Sequence, residues 1–283
     1  MGEELNIFAN NRICNLLNIK YPLLQGAMAW IAGGKLAAAV SEAGGLGIIG
    51  TGNADRDWLE QEIDTVCQLT DKPFGVNLML ASPHVQEIVE LIIEKKVPVV
   101  TTGGGNPGPY IDGLKKAGIK VIPVVASLAL GKRLTRLGID ALIVEGMESG
   151  GHIGEMTTMC LVPMIADAVD VPIIAAGGIA DGRGFIAAMA LGAEGVQVGT
   201  RFICAQECSV HPDYQQKIIK ARDRATVVCG ETTGHPVRAI HNKFTRAYLN
   251  YEKSNRNIEE LEAMGKGRYP AAAVHGDIDG GTV

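Results

Sequence analysis

Residues 141–155 read Ala-Leu-Ile-Val-Glu-Gly-Met-Glu-Ser-Gly-Gly-His-Ile-Gly-Glu, and this stretch carries the strongest signal for the fold. The apolar run Ala141–Val144 has the length and the β-branched content of a buried strand. Charged residues and four glycines follow at once, so the strand must end in a loop whose backbone can approach another group closely. His152, inside this loop, is the side chain best able to change protonation near neutral pH. Taken alone, the stretch fits equally well a glycine-rich turn with an incidental histidine.

The same succession of apolar runs and helical patterns extends over roughly the first 200 residues. The apolar runs have no polar face, which is typical of strands buried on both sides of a parallel sheet. The predicted strands are Pro22–Gln25, Leu46–Ile49, Phe74–Leu78, Pro98–Thr101, Lys120–Val125, Ala141–Glu145, Ile173–Ala176 and Val196–Gly199.

Helices are predicted between these strands from apolar residues that recur on one helical face. Three of them stop at Gly118, Gly138 and Gly192, because glycine readily adopts the left-handed conformation that ends a helix. Ser82 is the predicted N-cap of another helix, with Pro83 at its first position. The predicted helices are Gly33–Ala43, Asp55–Leu69, Pro83–Lys95, Asn106–Ala117, Ser127–Leu137 and Asp181–Leu191.

Eight such strands separated by helices predict an α/β fold, a (β/α)8 TIM barrel. An open doubly wound sheet is the alternative, but no Gly-x-Gly-x-x-Gly motif opens a helix after the first strand. The succession breaks near Phe202, and the roughly 70 residues that follow are too many for a plain loop. We therefore predict a barrel over residues 1–201, a smaller inserted lid or substrate subdomain near the C-terminus over 202–273, and a return to the barrel over 274–283.

The composition argues against several classes of protein. The net charge of −5 argues against a general nucleic-acid binder, whose binding domain would be basic. The six cysteines are scattered without a Cys-x-x-Cys pair, so we predict neither a metal site nor a disulfide framework. The N-terminus shows no signal-peptide core, and no apolar run approaches the ~20 residues of a membrane span. We expect a cytoplasmic protein that binds neither nucleic acid nor membranes.

Chemistry in such a barrel is expected in the loops that follow the carboxyl ends of the strands. The loops Ala176-Gly177-Gly178 and Gly199-Thr200, after the seventh and eighth strands, offer backbone N–H groups to the oxygens of a phosphate. Tight packing of a helix against a strand is the alternative explanation for these glycines. Asn77, at the end of the third strand, is suited to the polar edge of a flavin ring or to a structural role.

A set of motifs spread along almost the whole chain resembles the FMN-dependent nitronate monooxygenase superfamily. These motifs are Gln25–Trp30, Gly44–Gly47, Lys72–Asn77, Glu145–Gly154, Ala175–Gly182 and Val198–Phe202. Two further segments, Gly234–Ile240 and His275–Asp277, resemble its enoyl-ACP reductase II (FabK-type) branch in particular. The combination is specific, whereas each single motif is not.

The resemblance implies FMN at the barrel mouth, NADH or NADPH as hydride donor, and a trans-2-enoyl thioester on acyl carrier protein as acceptor, a reaction of fatty acid biosynthesis. It implies that His152 is catalytic and contacts the substrate carbonyl or delivers a proton. The implied FMN-binding residues are Gly26, Ala27, Met28, Asn77, Glu145, Gly150, Gly151, Ala176, Gly177, Gly178, Gly199 and Thr200. A homodimer is also implied, and members of this branch can respond to a monovalent cation, although no motif locates a cation site.

Other functions are compatible with the same sequence. A nitronate monooxygenase, which oxidises alkyl nitronates with FMN and O2, would use His152 as a base or to orient the substrate. A flavin-free barrel that binds a phosphorylated metabolite belongs to a different class. A barrel of the inosine-monophosphate-dehydrogenase type is disfavoured, because no cysteine follows the sixth strand in the nucleophile position. The family usually continues past Gly280-Gly281-Thr282-Val283, so the resemblance also leads us to expect a further segment or a shortened chain.

Overall fold

The computed structural model describes residues 8–254 and 257–283, which form a parallel barrel wrapped by helices and a second, smaller sheet. In chain order the strands are β1 (Leu23–Gln25), β2 (Ile48–Gly50), β3 (Gly75–Met79), β4 (Val99–Gly103), β5 (Lys120–Val125), β6 (Leu142–Glu145), β7 (Gly151–His152), β8 (Ile173–Ala176), β9 (Gly195–Val198), β10 (Thr226–Cys229) and β11 (Val237–Ile240). The helices are α1 (Arg12–Leu17), α2 (Gly34–Glu42), α3 (Arg56–Leu69), α4 (Val85–Glu94), α5 (Gly108–Lys116), α6 (Leu128–Thr135), α7 (Thr158–Ala166), α8 (Gly182–Ala190), α9 (Thr200–Ile203), α10 (Pro212–Ile219), α11 (Lys243–Ser254), α12 (Ile258–Gly265) and α13 (Arg268–Ala273). Across the described ranges, no helix is long and apolar enough to span a lipid bilayer.

The large sheet closes on itself. Its strands are parallel and follow the order β1-β9-β8-β6-β5-β4-β3-β2. Leu46 joins the two ends, because its N–H donates to the Leu23 carbonyl at 3.0 Å and its carbonyl accepts from the Gln25 N–H at 2.9 Å. The buried Gln25 side chain strengthens this seam by donating to the Ile48 carbonyl and accepting from the Ile48 N–H. Closure confirms the predicted TIM barrel and excludes the open doubly wound sheet.

Strand residues alternate between two apolar layers. One set points into the barrel, and the other packs between the barrel and its helices, because successive side chains of a strand face opposite sides. In β6, Ile143 belongs to the inner layer, whereas Leu142 and Val144 belong to the outer layer. The inner layer comprises Leu24, Leu46, Ile48, Val99, Ile122, Ala141, Ile143, Ile174 and Ala176, with Ile13 and Leu17 of α1 packed against it. The barrel is therefore a packed core, and any ligand must sit at its mouth.

The predicted helix ends are confirmed at the glycines and wrong at one N-terminus. Gly118, Gly138 and Gly192 have φ angles of 80°, 74° and 96°, in the left-handed region that favours glycine. Helix α4 begins at Val85 instead of Pro83. The Ser82 hydroxyl accepts from the His84 N–H at 3.2 Å, within a turn that precedes the helix, so it is not available as the helix cap.

The part of the chain that follows the barrel packs against α2. Ile203, Tyr214 and Ala272 share an apolar cluster with Leu36 and Val40. Strands β10 and β11 form an antiparallel pair, and β11 also pairs with β7 from the loop after β6. The last residues follow the same sheet, because the Ile240 N–H donates to the Val283 carbonyl at 2.7 Å. The division into residues 1–201, 202–273 and 274–283 stays a prediction.

The contact between β2 and α2 can be tested at Gly47. A Cβ atom at this position would overlap the backbone of Ala37 in α2. Gly47→Ala should therefore lower the free energy of unfolding by about 1–3 kcal/mol, the usual cost of overpacking. Thermal or denaturant unfolding measures this change.

Gly113→Ala is the matched control, because Gly113 lies on the exposed side of α5 and a Cβ there meets no atom within 4 Å. Alanine favours helix by up to about 1 kcal/mol over glycine, so this variant should be neutral or stabilised. Equal unfolding free energies for the two variants would contradict the packing of α2 on β2.

Candidate active site at the barrel mouth

A ring of polar side chains lies above the apolar interior, at the carboxyl ends of the strands. In each of β3, β4, β6 and β9, one polar residue lies next to outer-layer residues of the same strand, so its side chain points inward. These polar residues are Asn77, Thr101, Glu145 and Gln197. The Asn77 amide donates to Thr101 Oγ1 at 3.0 Å, and the Asn77 carbonyl accepts from Thr51 Oγ1 at 2.7 Å. These contacts fix Asn77 at the mouth, where the sequence predicted it. A polar layer above an apolar one suits a ligand with polar edges.

Glu145 is the ionisable member of this ring. It is half-buried, and burial raises the pKa of its carboxyl to about 7. The neighbouring Ser149 hydroxyl, whose oxygen is buried, opposes part of this rise. The mouth therefore holds a carboxyl whose pKa lies near neutral pH.

The glycines after β8 serve packing and also leave backbone donors free. Gly177 and Gly178 have φ angles of 99° and 71°. A Cβ on Gly177 would lie 2.8 Å from the Gly146 carbonyl oxygen and 2.9 Å from Thr158 Oγ1, so tight packing does require glycine there. The N–H groups of Gly178 and Thr200 donate to no acceptor in the described residues, whereas the pairing of Ala176 with Gln197 directs the Gly177 N–H toward the backbone of β9. Tight packing therefore explains Gly177, and the phosphate site at these loops stays a prediction.

The loops after β1, β2 and β9 converge on Met28. A Cβ on Gly199 would lie 3.7 Å from the Met28 sulfur, and a Cβ on Gly50 would lie 2.6 Å from the Met28 carbonyl oxygen. A Cβ on Gly26 would lie 3.1 Å from the Gln197 side chain. Glycines at these points keep the rim open between neighbouring loops.

The sequence-predicted site residues lie near the carboxyl ends of β1, β3, β6, β8 and β9 or in the loops that follow these strands. Ala27 and Ala176 border the inner apolar layer beneath the mouth. A Cβ on Gly150 would lie 3.7 Å from Thr200 Oγ1, which brings the loop after β6 next to the loop after β9. The residues grouped around the mouth are Gly26, Ala27, Met28, Asn77, Glu145, Gly150, Gly151, Ala176, Gly177, Gly178, Gly199 and Thr200.

His152 lies on a strand that the sequence did not predict. Gly151 and His152 form β7, in which His152 pairs with Val237 and Gly151 pairs with Arg238. The pairing continues outward, because the Ile153 N–H donates to the Pro236 carbonyl at 3.0 Å. His152 is thus held by the C-terminal part of the chain as well as by its own loop.

The environment of His152 favours its neutral form. The residue is accessible to solvent, but crowding by nearby protein atoms lowers the pKa of its imidazole, and the charge of neighbouring His235 lowers it further. The imidazole is therefore mainly neutral at pH 7. In that form it has one N–H donor and one basic nitrogen.

Two side chains that the sequence analysis did not single out hold the loop after β6. The Arg238 guanidinium donates from Nε and Nη2 to the Met147 carbonyl at 3.2 and 3.1 Å. The Glu148 carboxylate accepts from the N–H and the hydroxyl of Thr158, both at 2.9 Å, and so caps α7. Arg238 belongs to the motif Gly234–Ile240, which was the available signal for it.

These features fit FMN. The N–H groups of Gly178 and Thr200 are suited to phosphate oxygens. The inward-facing polar ring is suited to the heteroatom edge of a flavin, which needs both donors and acceptors.

Comparison with known proteins agrees with this arrangement. Residues 10–283 match the nitronate monooxygenase family. The structure of FabK from Thermotoga maritima is similar, with 53% sequence identity and a TM-score of 0.93, and the match covers 96% of this chain and 87% of FabK. A probable nitronate monooxygenase of Staphylococcus saprophyticus is 36% identical over 86% of this chain and 82% of its own length.

A third relative acts on a coenzyme A thioester. The (3aS,4S,5R,7aS)-5-hydroxy-7a-methyl-1-oxo-octahydro-1H-indene-4-carboxyl-CoA dehydrogenase of Rhodococcus jostii is 38% identical over 81% of this chain and 65% of its own length. The family match extends from residue 10, just before α1, to the last described residue. The chain therefore belongs to the nitronate monooxygenase family of flavin-dependent oxidoreductases.

Proposed function

We propose that this protein reduces the carbon–carbon double bond of a trans-2-enoyl thioester on acyl carrier protein, with FMN as cofactor and NADH or NADPH as electron source, in fatty acid biosynthesis. The position of His152 carries this proposal. His152 follows β6 and pairs with β11, and β11 lies in the segment Gly234–Ile240 that resembles the enoyl-ACP reductase branch. The 53% identity to FabK of Thermotoga maritima supports the same choice.

The residues of the mouth would share the binding of the cofactor. Bound FMN supplies hydride transfer from the nicotinamide to the enoyl β-carbon. The loops that carry Gly177, Gly178, Gly199 and Thr200 would bind its phosphate. Gly26–Met28, Asn77 and Glu145 would border its ring, and the glycines Gly150 and Gly151 would let the loop after β6 approach closely.

His152 would handle the oxygen of the substrate. Negative charge develops on the thioester carbonyl oxygen as the β-carbon gains hydride, and a donor aimed at that oxygen lowers the barrier. The neutral imidazole donates a hydrogen bond from its N–H, and its protonated form can deliver the proton that completes the reduction. Arg238 and Glu148 would keep the loop, and hence the imidazole, in place.

Residues 202–273 would act as a lid over the mouth, since β11 already contacts the loop that carries His152. The resemblance to the reductase branch also favours a homodimer and a cytoplasmic location.

Oxidation of alkyl nitronates is the second candidate function. The family match and the 36% identity to the Staphylococcus relative favour it. A neutral imidazole with a lowered pKa is also a competent base, so His152 fits this role electrostatically.

Substrate trials on the purified flavoprotein separate the two functions. Anaerobic oxidation of NADH or NADPH that depends on crotonyl thioester supports the reductase. Oxygen uptake with an alkyl nitronate, and no thioester-dependent oxidation, would replace it with the monooxygenase.

His152→Ala should slow enoyl thioester reduction by roughly 10²-fold, since general acid catalysis contributes at least this much. FMN should remain bound, because the phosphate donors lie on other loops, and the flavin absorbance of the purified variant reports this. His275→Ala replaces another exposed histidine and should leave turnover unchanged. Unchanged turnover in the His152 variant would remove the catalytic assignment.

Glu145→Gln should change how the stability of the flavin-free protein depends on pH. The carboxyl has a pKa of about 7 in the folded chain and about 4.3 when unfolded, so the folded state binds more protons between these values and stability falls as pH rises. Glutamine removes this penalty and should stabilise the protein above pH 7 by up to about 3 kcal/mol.

Below about pH 4 the two proteins should differ little, because the unfolded carboxyl is then protonated as well. Denaturant unfolding of both proteins across this pH range measures the difference. Glu155→Gln, on the exposed part of the same loop, is the control. Parallel stability curves for wild type and Glu145→Gln would show that Glu145 is not held in a desolvated site.

A further inference from the structure

A second histidine lies beside His152 on the small sheet. Val237 is directly opposite His152, and the pairing continues through Pro236, whose carbonyl accepts from the Ile153 N–H at 3.0 Å. His235 comes two residues before Val237, so it projects from the same face of the sheet as His152. Diagonal neighbours of this kind lie about 7–8 Å apart, within reach of ring side chains.

The turn that carries His235 is firmly held. Glu252, buried on α11, accepts from the Gly230 N–H at 3.3 Å and from the Thr232 N–H at 2.8 Å. The Thr233 hydroxyl donates to the Gly230 carbonyl at 2.8 Å. A buried carboxylate thus anchors a surface turn whose outermost functional side chain is an exposed imidazole. The position of His235 is specified by the fold and is not that of a free loop residue.

Among the charged groups around His152, His235 has the clearest electrostatic effect. The other titratable residues on the surrounding elements are Arg238 on β11, Cys229 on β10, Glu231 in the β10–β11 turn, and Glu148 and Glu155 on the loop of His152. Arg238 and Glu148 are engaged with Met147 and Thr158. Within the described residues, His235 is the charge that shifts the pKa of His152, and it shifts it downward.

We propose that His235 is a proton relay that recharges His152 during enoyl reduction. This role rests on the proposed function. As the β-carbon gains hydride, an N–H bond of the His152 imidazolium breaks and its proton goes to the substrate, forming the saturated thioester. His235 then passes its own proton to the neutral His152 and takes one from solvent. One hydride and one proton are consumed, and both imidazoles return to their starting states.

The separate roles of His152 and His235 follow from their positions. His152 lies in the loop that follows β6, where a bound acyl group would cover it, and its neutral form predominates at pH 7. His235 is exposed at the outer edge of the same sheet and can exchange protons with water. A relay of this kind supplies protons without opening the mouth.

His235→Gln tests the relay. The variant should reduce crotonyl thioester roughly 10-fold more slowly, less than the ~10²-fold lost with a group that transfers a proton to the substrate directly. Added imidazole should restore much of the rate, because a small proton carrier can replace an exposed histidine. The limb of the pH profile that belongs to His152 should move to higher pH, since a neighbouring positive charge is lost.

His241→Gln is the matched control, because His241 is an exposed histidine just beyond the other end of β11. Its turnover and pH profile should match those of wild type. Full turnover in His235→Gln, or a loss of turnover that imidazole does not restore, would overturn the relay.

An NMR titration of the histidine ring signals without substrate tests the coupling between His152 and His235 independently of the proposed reaction. The pKa of His152 should be higher in His235→Gln than in wild type. An unchanged His152 titration overturns the coupling whatever the enzyme reduces. If wild type reduces no enoyl thioester, the proposed function fails, and with it the relay in that reaction, while a raised His152 pKa would still establish the paired histidines.

Discussion

The hydrogen bonds that join Leu46 to β1 turn a row of parallel strands into a closed ring, and the rest of the molecule depends on that closure. A closed sheet has no free edge, so every strand must present one face inward and one face outward. The inward face is apolar up to the level of Ile143 and polar above it, at Glu145. The ring thereby determines where a ligand can bind and which side chains it meets. The buried Gln25 amide matters because it reinforces the seam where backbone pairing is sparsest.

The barrel could be predicted because its signals are local. Each strand is an apolar run of a few residues, and each helix end at Gly118, Gly138 or Gly192 depends on one residue in the left-handed region. Ser82 shows the limit of local rules, since its hydroxyl accepts from a neighbouring N–H instead of capping the helix. Competing short-range hydrogen bonds of similar energy cannot be ranked from sequence.

The site was less accessible to prediction, because its decisive contacts join distant parts of the chain. Asn77 and the glycine loops after the seventh and eighth strands followed from the positions of the strand ends, whereas the other mouth residues were implied by the family resemblance. By contrast, β7 exists only because β11 pairs with it, and neither Gly151 nor His152 has the character of a strand residue. Arg238 and His235 became relevant only through that pairing. Their motif, Gly234–Ile240, is visible in the sequence, but its role depends on a contact that no local pattern encodes. The assignment of individual site residues and the division of the chain into barrel and lid remain predictions.

The pairing of β7 with β11 also has a consequence for timing. It consists of two residue pairs and one further hydrogen bond, far fewer contacts than hold any barrel strand. So small a ladder can open while the barrel stays intact, since local stability follows the number of contacts broken. Opening would separate His152 from His235 and expose the mouth, whereas closing would reunite them over a bound substrate. Because the ladder is already paired without substrate, each local opening would interrupt the contact between the two imidazoles only until the ladder closes again.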